Sequence, residues 1–453
     1  MRQRRWTPPA LIHVTALPSF PGEASTLERH TVNDRFDGPQ RRAPQRRPRL
    51  ASRALVQEFD ISRPTPAFLN DPYATYFALQ TFAPVHRSPD GSIVVTRHAD
   101  VRTVCMQPDL YSSRRDSWLH ARLGDGPLAA HYASAIMFSD PPAHARVRAV
   151  LDHACLSEAL MRALRPGLEV AVERVLDDLA GRGAFDVMAD FAVRLPAQVI
   201  GTLFGIPPEE RAPLRNWSVD MLAVLEPDGD AMTISRGEAA LRDCTAFLRE
   251  LFARRRAADR PARDDVLGRL MHDVACGGWS EYELLQNTML VMNAGQETIA
   301  NTIGNALHAL ARFPAEQDRL LAEPDLMDFA VEEFLRFDSA IQFEGRTAVA
   351  ATSLGGVPIT PGTAVYICLG AANHDAEVFD QPDRLDIARD PNPHLAFATR
   401  IHRCIGGAIA RMAASVALSA FLLRFPRYEL AHSPIPGRRA RYRGFLSLPV
   451  RLP

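Results

Sequence analysis

The chain has 453 residues, of which 47% are hydrophobic and 23% are charged, so it can bury a large core. Its formal net charge of −1 excludes the strongly basic surface expected of a nucleic-acid-binding protein, although every basic residue is an arginine. The six cysteines contain no CxxC pair, which excludes a zinc motif or disulfide framework and favours a reducing, cytoplasmic location.

The first fifty residues differ in composition from the rest. Residues 1–50 are rich in arginine and proline, as in "RRAPQRRPRL", and such a composition predicts a disordered tail. Residues 51–453 are expected to form one domain. The longest apolar run, Met412 to Leu423, is shorter than the ~18–20 residues that span a bilayer, so we expect a buried helix there and no membrane anchor.

The ordered elements begin near Phe59. "DPYATYFALQTFA" has a helical pattern, and "APVHRSPDGSIVVTR" predicts a hairpin around a Pro-Asp-Gly turn. Helical periodicity then dominates, in "HARVRAVLDHACLSEALMRAL", "GLEVAVERVLDDLAGRG", "PAQVIGTLFG" and "RGEAALRDCTAFLRELFARRRA". A second β region follows at "SLGGVPITPGTAVYICL". The predicted fold is mainly α with small β-sheets near both ends, and the sequence has no Walker or Rossmann motif.

Residues 281–313 predict the longest helix, about 50 Å at 1.5 Å per residue. The helix is apolar on most sides, yet its centre reads Ala-Gly-Gln-Glu-Thr. Gly295 weakens the helix there, and the Thr298 hydroxyl can bond to a carbonyl one turn earlier, which favours a local kink. Glu297 and Thr298 are polar groups in a buried helix, and they are costly unless they are used.

Two further motifs follow this helix. In "FAVEEFLRF" Glu333 and Arg336 lie three residues apart and can pair on one helical face. Cys404 precedes a helix rich in small residues, "GGAIARMAASVALSAFLLRF", whose N-terminus favours a thiolate. Because the small residues also leave room for a flat group, a haem with a cysteine thiolate ligand fits this segment.

The anionic propionates of a haem need cationic partners. "HARVR" places His144 and Arg148 on one helical face, "EGRTA" supplies Arg346, and His402 lies two residues before the cysteine. Arginine forks suit carboxylates. Each of these residues alone could equally be a solvated surface charge.

In this order, the motifs resemble the cytochrome P450 family over about residues 59–453. The matches are "HARVR", "AGQET", "EEFLR", "FEGRTA", "QPDRLDIAR", "PNPHLAF" and "FATRIHRCIGG". The resemblance implies a single P450 fold, a haem b with Cys404 as the axial ligand of its iron, and insertion of one oxygen atom from O2 into a hydrophobic small molecule of secondary metabolism.

The resemblance also assigns roles to individual residues. It implies that Glu297 and Thr298 relay protons for dioxygen cleavage. It implies that Glu333 and Arg336 pair in the core below the cysteine loop and that Arg384 joins them. The remaining implied residues bind the haem propionates: His144, Arg148, Arg346 and His402.

The cysteine loop departs from the family pattern Phe-Gly-x-Gly-x-His-x-Cys-x-Gly. Ala398 and Arg400 replace the first two of its three glycines. We expect alanine to be tolerated at the first position, and we expect a positive φ at Arg400, strained by roughly 1–2 kcal/mol. The arginine would reach either a haem propionate or a redox partner, or it would loosen the haem pocket.

The leading hypothesis is a monomeric monooxygenase that receives electrons from a ferredoxin and its NAD(P)H-dependent reductase. The basic face for the ferredoxin would contain Arg146, Arg400, Arg403 and Arg411. One alternative is a P450-like haem-binding or recruitment protein without oxygen chemistry, and another is an enzyme that uses peroxide or performs a rearrangement. The resemblance places the substrate among these mainly apolar segments: Trp118 to Ile136, Trp217 to Leu225, Met289, Met292, Asn293, Ile341 to Phe343, Phe445 and Leu446.

Overall fold

The computed structural model describes residues 51–226, 229–258 and 265–453. The predicted disordered tail, residues 1–50, lies outside the described residues. The described segments are mainly helical, with four small sheets. This arrangement confirms the predicted fold class.

The helices differ widely in length, from one turn to nine turns. In chain order they are α1 (Arg53–Gln57), α2 (Pro66–Asn70), α3 (Tyr73–Phe82), α4 (His98–Met106), α5 (Asp116–Leu123), α6 (Pro127–Ser134), α7 (Ala143–Cys155), α8 (Glu158–Asp177), α9 (Pro196–Leu203), α10 (Leu214–Ala223), α11 (Ala231–Ala257), α12 (Val266–Ala275), α13 (Glu281–Arg312), α14 (Pro314–Ala322), α15 (Met327–Phe337), α16 (Leu369–Ala372) and α17 (Gly407–Arg424).

The strands are short and come from both ends of the described chain. They are β1 (Val85–Arg87), β2 (Ile93–Val95), β3 (Tyr111–Ser112), β4 (Ala184–Asp186), β5 (Phe343–Ala348), β6 (Thr352–Leu354), β7 (Val357–Ile359), β8 (Ala364–Cys368), β9 (Glu429–Leu430), β10 (Ile435–Pro436), β11 (Phe445–Ser447) and β12 (Pro449–Arg451).

The largest sheet has the strand order β1-β2-β8-β5-β3. The predicted hairpin forms its β1–β2 edge, with Gly91 at φ +85° in the turn. β2 pairs with β8 in parallel, and β5 pairs with β8 antiparallel, so the two predicted β regions meet in one sheet. The other sheets are β4-β12-β9, β10-β11 and β6-β7.

One predicted helical pattern divides at an unexpected place. The structure ends α7 at Cys155 and begins α8 at Glu158, because the Ser157 side chain accepts a hydrogen bond from the Leu160 backbone N–H and caps the new helix. α8 then continues through Pro166. The cap decides the boundary here, whereas the Pro-Gly pair that the sequence suggests as a break lies inside the helix.

The central helix α13 runs from Glu281 to Arg312, as predicted. Ser280 and Glu283 form a capping box at its N-terminus. A Cβ at Gly295 would lie 2.7 Å from Cδ1 of Ile200, so this glycine lets α9 pack closely on α13. α13 is continuous through the segment where the sequence predicts a local kink, and the kink stays a prediction.

The helix after Cys404, α17, packs against α8, α13 and α15. It is the one helix among the described residues with the length and apolar composition of a membrane span, and 56% of that stretch is buried in the protein. A core helix passes the same test, and the predicted Met412 to Leu423 segment lies within it.

Candidate active site around Cys404

The cysteine loop leads from a 3₁₀ turn, Arg400–His402, into the N-terminus of α17. The Cys404 backbone N–H donates to the Phe397 carbonyl at 2.9 Å, which closes the loop. Cys404 is solvent-accessible, yet enough protein surrounds it that desolvation raises the pKa of its thiol. The Gly406 N–H and the charges of Arg148 and Arg411 act in the opposite direction, and a bound metal ion would remove the proton outright.

Both positions at which another residue replaces a glycine of the family pattern adopt positive φ. Arg400 has φ 60°, as the sequence analysis expected, and Ala398 has φ 52°. The expectation that alanine would sit without difficulty at the first position was therefore incomplete. Left-handed backbone costs a residue with a Cβ about 1–2 kcal/mol, so this loop holds two strained residues.

The four predicted propionate-binding residues come together next to this loop. The rings of His144 and His402 lie 4.3 Å apart between centroids. His402 Nε2 lies 2.8 Å from Ser113 Oγ, whereas Nδ1 of the buried His144 has no partner among the described residues. Arg346 is also buried. The cluster thus contains an unpaired imidazole nitrogen and two guanidinium groups, those of Arg148 and Arg346.

The electrostatics of this cluster favour an anion. Burial, together with the charges of Arg346, His144 and Arg148, lowers the pKa of His402 to about 3. Burial and Arg148 also lower the pKa of His144. Arg148 donates from Nε to Asp152 at 2.8 Å and from Nη1 to the Arg403 carbonyl at 2.6 Å, so it also holds the cysteine loop. The two propionate carboxylates of a haem would offset the repulsion among the positive charges of this cluster.

The backbone around Cys404 leaves room for a flat group. A Cβ at Gly406 would meet only Cys404 Sγ, at 3.9 Å, and Ala408 is exposed. Ala294 is exposed as well, although it lies in the middle of the buried helix α13. These accessible small residues and the cationic cluster fit a haem, with Cys404 as its thiolate ligand.

Glu297 and Thr298 on α13, the acid–alcohol pair, have partners that the sequence did not reveal. Thr298 Oγ1 donates to the Ala294 carbonyl at 2.8 Å, as predicted. Arg439 donates a hydrogen bond to Glu297 Oε1, and Glu297 Oε2 is buried without a partner among the described residues. Arg439 comes from the C-terminal segment, and no motif marks it.

Glu226 is a second missed residue. It follows α10 and accepts hydrogen bonds from the backbone N–H groups of Ala440 and Arg441 at 3.1 and 3.0 Å. Arg439 Nε lies 3.8 Å from its carboxylate. Burial raises the pKa of Glu226, although the Arg439 charge opposes this change. The chain segment after α10 is thereby joined through Arg439 to Glu297 on α13.

Glu333 and Arg336 on α15 form a bidentate pair, with N···O distances of 2.7 and 2.9 Å, and both side chains are 0% exposed. The prediction that Arg384 joins them was wrong for its side chain. Arg384 is exposed and provides only its carbonyl to Arg336, whereas Arg389 Nε donates to Glu333 at 3.0 Å. The sequence "DRLDIAR" offers two arginines, and the fold turns the second one inward.

Two of the four arginines of the predicted ferredoxin face already bind carboxylates. Arg146 pairs with Glu283, and Arg411 pairs with Glu332. Arg400 and Arg403 are exposed, and neither side chain has a partner in the part of the chain that the structure describes.

The expected substrate walls are brought together only in part. Trp118, Leu225 and Phe343 line one cleft. Met289 and Met292 are fully buried in the core instead, and Leu446 is 65% exposed. The sequence could not separate these cases, since an apolar residue near a pocket and one in the adjacent core have the same character.

Comparison with known proteins identifies the family. The family model described as Cytochrome P450 matches residues 233–436. Cytochrome P450 107B1 of Saccharopolyspora erythraea is 34% identical over 370 residues, which cover 79% of this chain and 88% of that protein. Cytochrome P450 monooxygenase PikC of Streptomyces venezuelae is 32% identical, with coverage of 90% and 97%. The crystal structure of CalO2 superposes with a TM-score of 0.82 at 31% identity, with coverage of 87% and 98%.

These similarities span most of the chain and most of each relative. They agree with the accessible Cys404, the adjacent cationic cluster and the acid–alcohol pair on α13. The chain belongs to the cytochrome P450 family, the haem-thiolate monooxygenases.

Proposed function

We propose that this monooxygenase binds haem b and inserts one oxygen atom from O2 into a hydrophobic small molecule of secondary metabolism, with electrons from a ferredoxin and its reductase. The haem assignment rests on one observation: a cluster that favours an anion lies beside the solvent-accessible Cys404. The cluster contains His144, His402 and Arg346. PikC, a monooxygenase of similar length, supports the class of reaction.

Different residues of this chain would hold the iron and the propionates of the haem. Cys404 would provide the axial thiolate, and His144, Arg148, Arg346 and His402 would hold the propionates. The haem, when bound, supplies the redox chemistry that activates dioxygen. These residues therefore fix the position and orientation of the cofactor.

Proton delivery belongs to α13. Thr298 donates its hydroxyl proton to the Ala294 carbonyl, which leaves its oxygen lone pairs free to accept from a water or substrate. Glu297 is held by Arg439 at the adjacent position. A fixed carboxylate next to a hydroxyl can pass protons one at a time.

Electron transfer would use the exposed face of the cysteine loop. Arg400 and Arg403 are exposed, and neither side chain binds a carboxylate among the described residues. Positive groups of this kind attract an acidic ferredoxin, and this attraction weakens as salt is added. The exposure of Arg400 supports a role toward the partner over a role toward a propionate.

The test of the haem assignment is spectroscopic. Reduced wild-type protein under carbon monoxide should give the strongly red-shifted Soret band of a thiolate haem, and Cys404→Ser should lose that band. Cys276→Ser is the matched control, because Cys276 is also exposed but lies away from the loop. A normal thiolate band in Cys404→Ser contradicts the assignment.

The test of the proton path is coupling. With any oxidised substrate, Thr298→Ala should bind haem as the wild type does while NAD(P)H consumption yields less product and more peroxide. Thr302→Ala serves as the control, since Thr302 makes the same hydrogen bond to a carbonyl one turn earlier. Unchanged coupling in Thr298→Ala removes this residue from the mechanism. Haem retention with no product from any variant would favour a binding protein instead.

A further inference from the structure

Arg115 occupies an unusual place between the main sheet and α5. It is 7% exposed and directly precedes α5. Its guanidinium carbon lies 4.1 Å from the Trp118 ring centroid and 5.2 Å from that of Tyr366. Its Nη2 donates to the Tyr366 hydroxyl at 3.1 Å. The two rings therefore hold the planar guanidinium in one orientation.

No carboxylate binds this buried cation within the described part of the chain. Arg336 has Glu333, and Arg441 binds both oxygens of Glu344 at 2.9 and 3.1 Å. Nε and Nη1 of Arg115 donate to no described acceptor. A buried charge without a counterion is costly, and contact with aromatic faces offsets only part of that cost.

The sheet is shaped to admit this side chain. A Cβ on Gly345 would lie 2.5 Å from Nη1 and 2.7 Å from Cζ of Arg115. Gly345 in β5 is paired with Tyr366 in β8. The glycine thus leaves space for the guanidinium beside the tyrosine that hydrogen-bonds it.

Arg115 lines a cleft that opens to solvent. The cleft has a volume of about 390 Å³ to its mouth, but only about 30 Å³ of it can hold the centre of a water-sized group. That space suffices for one small polar group. Arg441, which is bound to Glu344, also lines the cleft. The apolar part of the wall includes Ile61, Leu225 and Phe343. A neighbouring, more open cleft, with a volume of about 970 Å³ to its mouth, also has Trp118 and Tyr366 in its wall.

We propose that Arg115 is the anion-binding residue of a substrate subsite, which takes the carboxylate of a hydrophobic acid. The planar fork of an arginine matches a carboxylate with two parallel hydrogen bonds, and Nε and Nη1 are the donors left for them. The apolar wall would contact the hydrocarbon part next to the carboxylate. This inference rests on the proposed function, because it names a property of the substrate.

The substrate is favoured over a free anion by the surroundings of the cleft. Leu225 and Phe343 belong to segments that the family resemblance places around the substrate. Phe343 and Gly345 in the cleft wall lie on β5, the strand that also carries Arg346 of the cationic cluster beside Cys404. An apolar lining would offer nothing to a small inorganic anion.

The test compares decanoate with decanamide, which differ in charge but share one chain length. Binding to the haem-loaded protein is measured by equilibrium dialysis with labelled probes. Wild type should bind decanoate about 10-fold more tightly than decanamide, as expected for a charge-assisted bidentate contact. Arg115→Gln should bring the two affinities within twofold, and Arg115→Lys should give an intermediate ratio. Arg102→Gln, the loss of an exposed arginine on α4, should keep the wild-type ratio.

A second variant guards against simple misfolding of Arg115→Gln. Gly345→Ala retains the arginine but fills its place, so it should also lose the discrimination. Equal affinities in wild type, absence of decanoate binding, or retained discrimination in Arg115→Gln would overturn the proposal, as would a preference for phosphate over decanoate. Dialysis does not depend on the thiolate spectrum, so a missing carbon monoxide band would contradict the proposed function without deciding this result.

Discussion

Arg439 donates a hydrogen bond to Glu297, although 142 residues separate them in the chain. The same guanidinium lies 3.8 Å from Glu226, whose carboxylate accepts bonds from backbone N–H groups of residues 440 and 441. One arginine therefore connects the segment after α10, the C-terminal segment and the acid on the central helix. A movement of the segment after α10 would reach Glu297 through this cation.

Replacing Arg439 should destabilise the folded protein, because the Glu226 and Glu297 carboxylates would lose their cation. Arg439→Met leaves Glu226 and Glu297 near each other without a cation, so we expect a loss of about 3 kcal/mol in the free energy of unfolding. Urea unfolding of the haem-loaded protein measures this loss. Arg438→Met makes the same chemical change at an exposed neighbour and should stay within about 0.5 kcal/mol of wild type.

A double-mutant cycle identifies the ion pair as the cause. If the pair matters, Arg439→Met combined with Glu297→Gln should lose at least about 1 kcal/mol less than the sum of the two single variants. Additive losses would show that Arg439 acts without Glu297, through Glu226 or through packing against Tyr442, whose ring lies 5.2 Å from it.

The buried carboxylate Glu333 gives a prediction that separates two arginines. Arg389→Ala should destabilise the protein by about 3 kcal/mol and speed haem loss, because it removes one of the two guanidinium groups that compensate Glu333. Arg384→Ala should change stability by no more than about 0.5 kcal/mol, since only its backbone carbonyl contacts Arg336. Thermal unfolding and transfer of haem to apomyoglobin measure the two effects. A larger effect from Arg384→Ala would restore the original assignment.

The sequence predicted the elements whose causes are local. The bounds of α13 follow from apolar periodicity and from the Ser280 cap, and the β1–β2 hairpin follows from its turn. The cationic cluster and the placement of Cys404 were predictable because short motifs carry them. Such features depend on residues within a few positions of one another.

The features that the sequence did not predict depend on contacts between distant segments. Arg439 and Glu226 have no motif, and their contact with Glu297 arises only when three segments meet. Gly295 appeared to weaken a helix, but its reason is the Ile200 side chain on α9. The choice between Arg384 and Arg389 depends on which way a loop turns, and charge pattern alone does not determine it.

Glu332 should make stability depend on pH. Burial would raise the pKa of its carboxyl, but hydrogen bonds from His394 and Arg411 prevail and lower it to about 2 from a usual 4.5. A depressed carboxyl pKa stabilises the folded state above the unfolded pKa, and that contribution is lost as the pH falls from about 4.5 toward 2. The shift corresponds to at most about 3 kcal/mol.

Glu332→Gln should therefore be less stable than wild type by about 2–3 kcal/mol at pH 7, and the gap should narrow below pH 4.5. Urea unfolding followed by circular dichroism at pH 7, 5, 4 and 3.5 measures it. The control is Glu323→Gln, which removes an exposed carboxylate and should give a small difference at every pH. A gap that stays constant with pH would mean that the stabilisation does not come from the charge of the Glu332 carboxylate.

The two strained residues of the cysteine loop give the last prediction. Ala398 and Arg400 have φ 52° and 60°, a region that glycine enters without cost. Ala398→Gly and Arg400→Gly should each relieve about 1–2 kcal/mol of backbone strain, and the greater freedom of glycine in the unfolded chain should return about 0.4–1 kcal/mol of that gain. We expect net stabilisation of up to about 1.5 kcal/mol per site, with the thiolate Soret band unchanged.

Arg403→Gly is the matched control, because Arg403 has φ −55° and gains no relief. This variant should be less stable than wild type, although it makes the same change of side chain as Arg400→Gly. Arg400→Gly and Arg403→Gly should both slow reduction by an acidic ferredoxin, and the difference from wild type should shrink as salt increases. If Arg400→Gly instead sheds haem faster while ferredoxin kinetics stay unchanged, the arginine serves a propionate. If stability falls in Ala398→Gly and Arg400→Gly as it does in Arg403→Gly, the positive φ values impose no strain on this loop.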